Sequence, residues 1–387
     1  MMRVLLLALC LALAPLCAEE PAPTVESVDA ASAKGLKALD AAQENDGAIR
    51  SITYGIMKPG VATTAFYVEL LSRVPEVERA KHKAALDKAL EFLYPQIDDK
   101  GSIGAKTEWL DYPAYSTALF ATALNRLKPE GWKERHAKLI EWLRANQFSE
   151  ACDVKPDHAA FGGWSPNGLY EKNAQIRADI SVARYVLTAL AEAGVPADDP
   201  VWARAAVYLK RSQNLDADGK KGDGGFHYTT TTPVSNKAEA DEAAPTGFRS
   251  YGTATVDGAL CLAIISKLDE AHAKAVAEQL AQAKKWIEAH PNLDVIPGFK
   301  ADSNNQKMGW DRAMIYYYRA GLVQAVKALG IERDAAWWNE AANLTMKAQQ
   351  KDGFWANELA FMKENDPLVA TPHALEVLLE YRNHHPK

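Results

Sequence analysis

Along most of this chain apolar residues recur at helical spacing, and they do so in two alternating styles. In the stretch Val201 to Ser212, Trp202, Ala205, Ala206 and Leu209 share one face, while Arg204, Lys210 and Arg211 share the other. That pattern predicts an amphipathic helix with one buried stripe. In Ala118-Leu119-Phe120-Ala121-Thr122-Ala123-Leu124 the apolar positions run almost all the way round. Such a segment predicts a helix buried on most sides. No alternating apolar run is long enough to propose a sheet strand.

The two styles follow one another in a repeat. An amphipathic helix ends near a Gln; a turn carries Asp-Gly or Gly-Gly with an aromatic or aliphatic residue; a Thr/Ala/Leu-rich helix follows. The clearest copies are Gln213 with Gly222-Asp223-Gly224-Gly225-Phe226 and then Tyr251 to Leu260, and Gln349 with Asp352-Gly353-Phe354-Trp355 and then Thr371 to Leu379. A third runs Gln147, Phe161-Gly162-Gly163-Trp164, then Asp179 to Ala193. Three weaker copies have inner helices at Val61 to Val74, Tyr112 to Leu127 and Arg312 to Leu329, the first two with turns at Gln43 to Gly47 and Gln96 to Ser102. Six units spaced roughly 50 to 80 residues apart lie at the long end of repeat periods. The expected fold is all-α: an (α/α)6 barrel, or toroid, of about six helical-hairpin repeats, half-polar helices outside and apolar ones inside. The longest insertion between helices, Thr229 to Arg249, is a candidate lid.

The N-terminus reads differently. Arg3 precedes the apolar run Val4 to Leu16, then Ala18 and Glu19-Glu20. This is the form of a secretory signal, too short for a comfortable membrane span. Residues 1–18 are therefore expected to be a signal peptide cleaved after Ala18, 19–35 a leader, and 36–387 a single toroid domain. The chain is expected to be exported, to a periplasmic or extracellular compartment. Cys10 and Cys17 each follow a Leu rather than a small residue, so simple cleavage is expected over lipidation. Of the cysteines beyond the signal, Cys152 falls in a loop and Cys261 inside a helical pattern, which favours two separate thiols. After residue 18 no stretch is long and apolar enough to span a membrane. With 48% hydrophobic residues the chain can build a large core. A net charge of −6 and the lack of a basic stripe argue against nucleic acid.

The Gln-x-x-Asp-Gly and Gly-Gly-(Phe/Trp) turns, each followed by a Thr/Ala/Leu-rich helix, resemble the prenyltransferase and squalene-oxidase repeats. These repeats build squalene cyclases and the β subunits of protein prenyltransferases, and the resemblance spans roughly residues 36 to 382. It implies the toroid. Its chemistry does not transfer residue by residue. The Asp-x-Asp-Asp acid of the cyclases is absent; Asp216-Ala217-Asp218-Gly219 is the nearest run and reads as a turn. The Asp-Asp-x-x-Asp magnesium motif is also absent. Zinc-binding prenyltransferases place a Cys two residues after an Asp; here Asp257 and Cys261 are four apart, with His373 later in the chain. No metal and no cofactor is therefore expected.

In such a ring the N-terminal ends of the inner helices face one mouth of a central cavity, and polar residues there are informative. Asp257, His373, Asp179 and Asp311 are the candidate catalytic residues. Tyr112, Tyr115, Trp164, Tyr228, Tyr251, Trp310, Arg312 and Tyr316 are the candidate ligand contacts. Aromatics mixed with a few charges suit a small-molecule or sugar pocket. Structural roles compete: Asp111, Asp179 and Asp311 stand where helix caps stand, and turn aromatics can simply join repeats. Asp257 lies about five residues into its helix, past the reach of a cap, and needs a partner such as Arg312 or His373. Of Tyr316-Tyr317-Tyr318 only one or two rings can face the cavity. Glu108 with Asp111 would suit acid–base work on a glycan. The expected function is to hold a small-molecule, lipid or glycan ligand in the cavity without the family's catalytic acid. Two enzymatic readings stay open: an envelope polysaccharide lyase or hydrolase, and a terpene cyclase or prenyltransferase.

Overall fold

The computed structural model describes residues 21–105, 111–169 and 176–385. The expected signal peptide and Glu108 lie outside these residues. Among them, twelve helices of eleven residues or more alternate as outer and inner members of six hairpins. The outer helices are α1 (Val25–Ala41), α3 (Lys83–Leu93), α5 (Trp132–Ala145), α7 (Pro200–Ser212), α9 (Glu270–Ala289) and α11 (Ala335–Lys347). The inner helices are α2 (Val61–Arg73), α4 (Pro113–Leu127), α6 (Ile180–Glu192), α8 (Gly252–Ile265), α10 (Ile315–Ala328) and α12 (Pro367–His384). Each inner helix packs on the next, and α12 returns to α2, so the inner ring closes. The only β pairing among the described residues is isolated bridges at turns, such as Gln43 with Ile49 and Gln213 with Phe226. The expected α/α toroid is the observed fold.

The repeat motif has a mechanical meaning. The side-chain amide of Gln147 donates to its own turn at Gly162 O (3.0 Å) and to Val201 O in the next outer helix (2.9 Å). Gln213 does the same to Gly224 O and Gln279 O, at 2.9 and 2.8 Å. Gln43 reaches Gly47 O and Ala85 O at 3.0 and 2.8 Å. Each Gln thus ties one repeat to the next, satisfying a carbonyl of its own turn and adding a second bond to a helical carbonyl of the neighbour. The turn glycine seats against the same neighbour one helical turn further on. A Cβ at Gly162, whose φ is +88°, would stand 1.9 Å from Arg204 O. One at Gly47 (φ +91°) would stand 2.2 Å from Lys88 O. Only glycine allows both the left-handed backbone and that approach. In the second repeat Ile97 occupies the glutamine's place, four residues before Gly101; the expected Gln96 is one position off.

The Thr of the inner helices closes the hairpin from inside. The hydroxyl oxygens of Thr64, Thr117, Thr255 and Thr371 accept from the backbone N–H of Ile49, Ile103, Phe226 and Trp355, at 2.8 to 3.1 Å. Those four residues each follow their turn glycine by two and are fully buried. They are packing staples between repeats.

Helix α1 starts at Val25, capped by Thr24, inside the stretch expected to be a leader. It is an integral part of the ring: Arg382 Nε pairs with Asp29 at 2.6 Å, and Tyr381 donates to Pro23 O at 3.0 Å. Asp216 to Gly219 form the expected turn, with Asp218 and Gly219 at positive φ. Cys152 and Cys261 are separate thiols.

Candidate functional site

All six inner helices send side chains from their N-terminal turns into one cavity of about 570 Å³. The contributions come in pairs one helical turn apart, which keeps both on the same face. Such pairs are Thr63 and Phe66 on α2, Tyr115 and Leu119 on α4, Ser181 and Tyr185 on α6, Thr253 and Asp257 on α8, and Val369 and His373 on α12; α10 adds Tyr317. One wall is apolar, with Ile56, Met57, Phe66, Leu119, Met314 and Leu368. The polar part of the lining comes mainly from residues 177–185 and 228–237.

Asp257 forms the floor. Its Oδ1 accepts from Arg184 Nη1 at 3.0 Å, and both oxygens lie within 2.9 Å of the Tyr317 hydroxyl. Arg184 also donates to Gln324 Oε1 at 2.8 Å. Burial pushes the Asp257 carboxyl up to about 6, against the opposing pull of Arg184 and Tyr317. Below the floor, at the C-terminal ends of the inner helices, charges alternate. Arg73 pairs with Glu69 (2.7 Å) and Glu376 (3.6 Å), and Arg126 pairs with Glu69 (2.8 Å) and Glu192 (2.5 Å). His373 Nδ1 lies 3.0 Å from Glu376 Oε2, its ring between Phe66 and Tyr317. Burial raises Glu376, but Arg73 and His373 prevail and hold it at about 2.

Asp179 caps α6, accepting from Val182 N at 2.9 Å, and also accepts from Ser181 Oγ (2.8 Å) and the Tyr228 hydroxyl (2.9 Å). Burial raises its pKa in spite of these donors. Tyr115 OH and Ser181 Oγ are 2.5 Å apart. The expected lid places its first half on the cavity wall. Asn236 accepts from Tyr228 N and Thr229 N and donates to Thr229 O, a closed loop that seats Lys237 over the Tyr228 ring at 3.4 Å. Burial lowers the Lys237 ammonium to about 8. Arg177 and Lys363 complete the rim, Lys363 lying 5.7 Å from the Tyr112 ring. Glu364 is buried and accepts from Tyr316 N and Tyr317 N at 3.2 and 2.7 Å, so it caps α10 from a neighbouring loop. Asp111 likewise caps the neighbouring α2 rather than its own helix, accepting from Val61 N at 2.8 Å; burial raises it to about 6.

Of the sequence candidates, Asp257, His373, Asp179, Tyr112, Tyr115 and Tyr228 meet in this cavity. The others stand elsewhere. Trp164 is buried core, its Nε1 donating to Leu143 O at 2.8 Å. Tyr251 is buried against Phe299. Trp310 stacks on Phe361 at 5.0 Å. Asp311 accepts from Gln306, and Arg312, 3.5 Å from Asp311, is half exposed. Tyr316 is core, and its neighbour Tyr317 takes the cavity position. The last four share one cause. The Glu364 cap starts α10 at Ile315, not at Arg312, so residues 310–314 form a turn and the helical phase shifts. The last inner helix does not open at Thr371 either: α12 begins at Pro367, capped by Asp366, with Pro372 inside it. Sequence reasoning missed Arg184, Lys237 and Lys363, and from the Tyr316-Tyr317-Tyr318 run it chose Tyr316 where Tyr317 faces the cavity. A lone Arg inside the apolar helix Ile180-Ser181-Val182-Ala183-Arg184 was a usable signal for the first. The lysines sit in irregular loops with no periodicity to mark them.

Among the described residues no three His, Cys, Asp or Glu side chains converge as a metal site. No described helix is long and apolar enough to cross a membrane.

No protein-family description and no curated protein matches the chain. Solved structures do. The type II terpene cyclase MstE from Scytonema, in complex with geranylgeranyl dihydroxybenzoate, matches with a TM-score of 0.58 at 13% identity, over 92% of this chain and 98% of that one. The GH76 α-mannanase BT2949 of Bacteroides thetaiotaomicron matches with 0.57 at 8% identity, over 92% and 96%. An inactive variant of the α-1,6-mannanase GH76A of Salegentibacter, bound to α-1,6-mannotriose, matches with 0.54 at 12% identity, over 92% and 97%. At these identities the likeness is one of fold: a squalene-cyclase-like α/α toroid, shared with glycan-cleaving enzymes.

Proposed function

We propose that this protein is exported and works as a receptor, holding one small apolar or glycan ligand at the mouth of its toroid. One observation carries the reading: the cavity's carboxylates are already committed. Asp179 is a helix cap with three donors, and Asp257 is shared by Arg184 and Tyr317. A general acid or alkene protonator needs a carboxyl free to meet its substrate. What faces the cavity is instead a belt of Tyr112, Tyr115, Tyr185, Tyr228 and Tyr317 beside an apolar wall. Flat rings with hydroxyl tips suit sugar faces and amphiphiles alike. Export rests on the form of residues 1–18.

Native mass spectrometry of mature protein purified from its own host tests this. A retained mass that Tyr115→Ala or Tyr317→Ala releases supports a receptor. Bare protein that also binds no glycan or lipid offered to it sinks the proposal. A second reading has one observation in its favour: Asp257, at about 6, lies beside Tyr317 in the cavity. If the protein released reducing ends from α-1,6-mannan, and Asp257→Asn abolished this, the enzyme reading would replace the receptor.

A further inference from the structure

The cavity holds acids and bases in similar number, but they are not in similar states. Among the described residues, every acid that lines it has hydrogen-bond donors from the fold. Asp179 has Val182 N, Ser181 and Tyr228; Asp257 has Arg184 and Tyr317; Glu364 has two backbone N–H groups and Asn357. Burial also raises the pKa of all three, which weakens their negative charge. The lining cations have no such partners. Lys237, only 9% exposed, has its ammonium 3.4 Å from the centre of the Tyr228 ring. Lys363 lies 5.6 Å from the Tyr54 ring and 5.7 Å from the Tyr112 ring. No carboxylate among the described residues lies within ion-pair distance of Lys237, Lys363 or Arg177.

We infer that the polar wall of the cavity is built for an anionic group, a carboxylate or a phosphate of the ligand, seated on Lys237 with Arg177 and Lys363 at the rim. The inference deepens the receptor reading and rests on it. Asp179 and Asp257 attract the Lys237 ammonium from a distance, but neither pairs with it directly, and Arg177 and Lys363 repel it. A desolvated ammonium left without a direct ion pair is costly, and the cost is returned when an anion arrives in the same low-dielectric site. Burial holds Lys237 near 8, still charged at neutral pH but poised to gain from an anion. The Asn236 loop keeps it in place beforehand, since Tyr228 N and Thr229 N both donate to the Asn236 side chain. An ammonium reads charge rather than planar shape, so both anions qualify. The apolar part of the lining would take the uncharged remainder of the molecule.

The test is calorimetric titration of the mature full chain at neutral pH with inorganic phosphate, D-glucuronate and, as neutral control, methyl α-D-glucoside. The parent, Lys237→Gln and Lys237→Arg are compared, each first shown to melt as the parent does. An anionic probe should bind the parent and outbind the neutral sugar. Lys237→Gln should weaken it about tenfold or more, and Lys237→Arg should keep most of the affinity. Preference for glucuronate marks a sugar acid; preference for phosphate marks a phosphorylated ligand. Neutral sugar binding as well as glucuronate, an unchanged affinity in Lys237→Gln, or no response to either anion would each overturn the inference. The receptor reading survives all three if native mass spectrometry still finds a retained neutral ligand.

Discussion

The side-chain amide of Gln349 donates to the carbonyl of Ala31, 3.0 Å away and 318 positions earlier in the chain. Its second hydrogen bond goes to Gly353 O, also at 3.0 Å. This is the contact that Gln147 and Gln213 make to the repeat after them, except that here the next repeat is the first. The seam of the ring therefore uses the same device as its interior joints.

Replacing such an amide with an apolar side chain leaves the buried turn carbonyl unpaired and removes the link to the neighbouring helix. Gln213→Leu, at a fully buried site, is expected to cost about 1–3 kcal/mol, a fall of several degrees in melting temperature. Gln349→Leu is expected to cost less globally but to expose α1, which limited proteolysis reads as faster cleavage before residue 42. Equal proteolysis of the two variants would refute a special role for the seam.

Two glycines with similar backbone angles separate strain from crowding. At Gly162 (φ +88°) an added Cβ meets Arg204 O at 1.9 Å; at Gly194 (φ +71°) it meets nothing. Gly194→Ala should cost only the left-handed penalty, about 1 kcal/mol. Gly162→Ala should cost about 3 kcal/mol or more, because the repeats must move apart. Denaturant unfolding of both variants decides it, and similar losses would mean the joint has slack.

Arg184 and Asp257 are both deeply buried and 3.0 Å apart. Arg184→Met strands the carboxylate and is expected to cost about 3–5 kcal/mol. The double variant Arg184→Met/Asp257→Asn should recover much of that loss. If the single and double variants unfold alike, the pair is not coupled.

Asp257 and Glu376 give opposite pH slopes. Asp257 is raised from 3.8 to about 6. Between these values the folded chain keeps a proton that the unfolded chain releases, so stability falls as pH rises through that window. Asp257→Asn removes this fall: whatever its constant offset, its stability relative to the parent should rise by about 1–3 kcal/mol from pH 4 to 7. Glu376 is lowered from 4.5 to about 2, so its contribution is present above 4.5 and lost as pH drops toward 2. Glu376→Gln should flatten that acid limb instead. Parallel pH–stability curves for the two variants would contradict both assignments.

The fold was legible because its signals are local and repeated. A helix period, a Gln, a Gly at positive φ and a Thr in the helix that follows each report a backbone need, and several copies reinforce one another. The floor of the cavity was half legible. Asp257 was marked by lying too deep in its helix to be a cap, but its partner was sought in Arg312 or His373, and it is Arg184 from the preceding inner helix. Contacts around a ring depend on rotation about each helix axis, which depends on where each helix starts. Glu364 sets that start for α10 from a loop some fifty residues away, and nothing near Tyr316 announces it. The same distance hid Asp111, a cap that serves a helix not its own.

A closed ring has a consequence in time. Helix α1 leaves the ribosome first, and its Arg382, Tyr381 and Gln349 partners leave it last. For most of synthesis, four inner joints can form while the two made by α12 wait. Across that interval the open edge of α2 that α12 will cover is bare, and any chaperone or export factor that handles the chain meets an arc rather than a circle. The cavity, whose lining draws on α12 as well as α2, exists only after the last hairpin arrives.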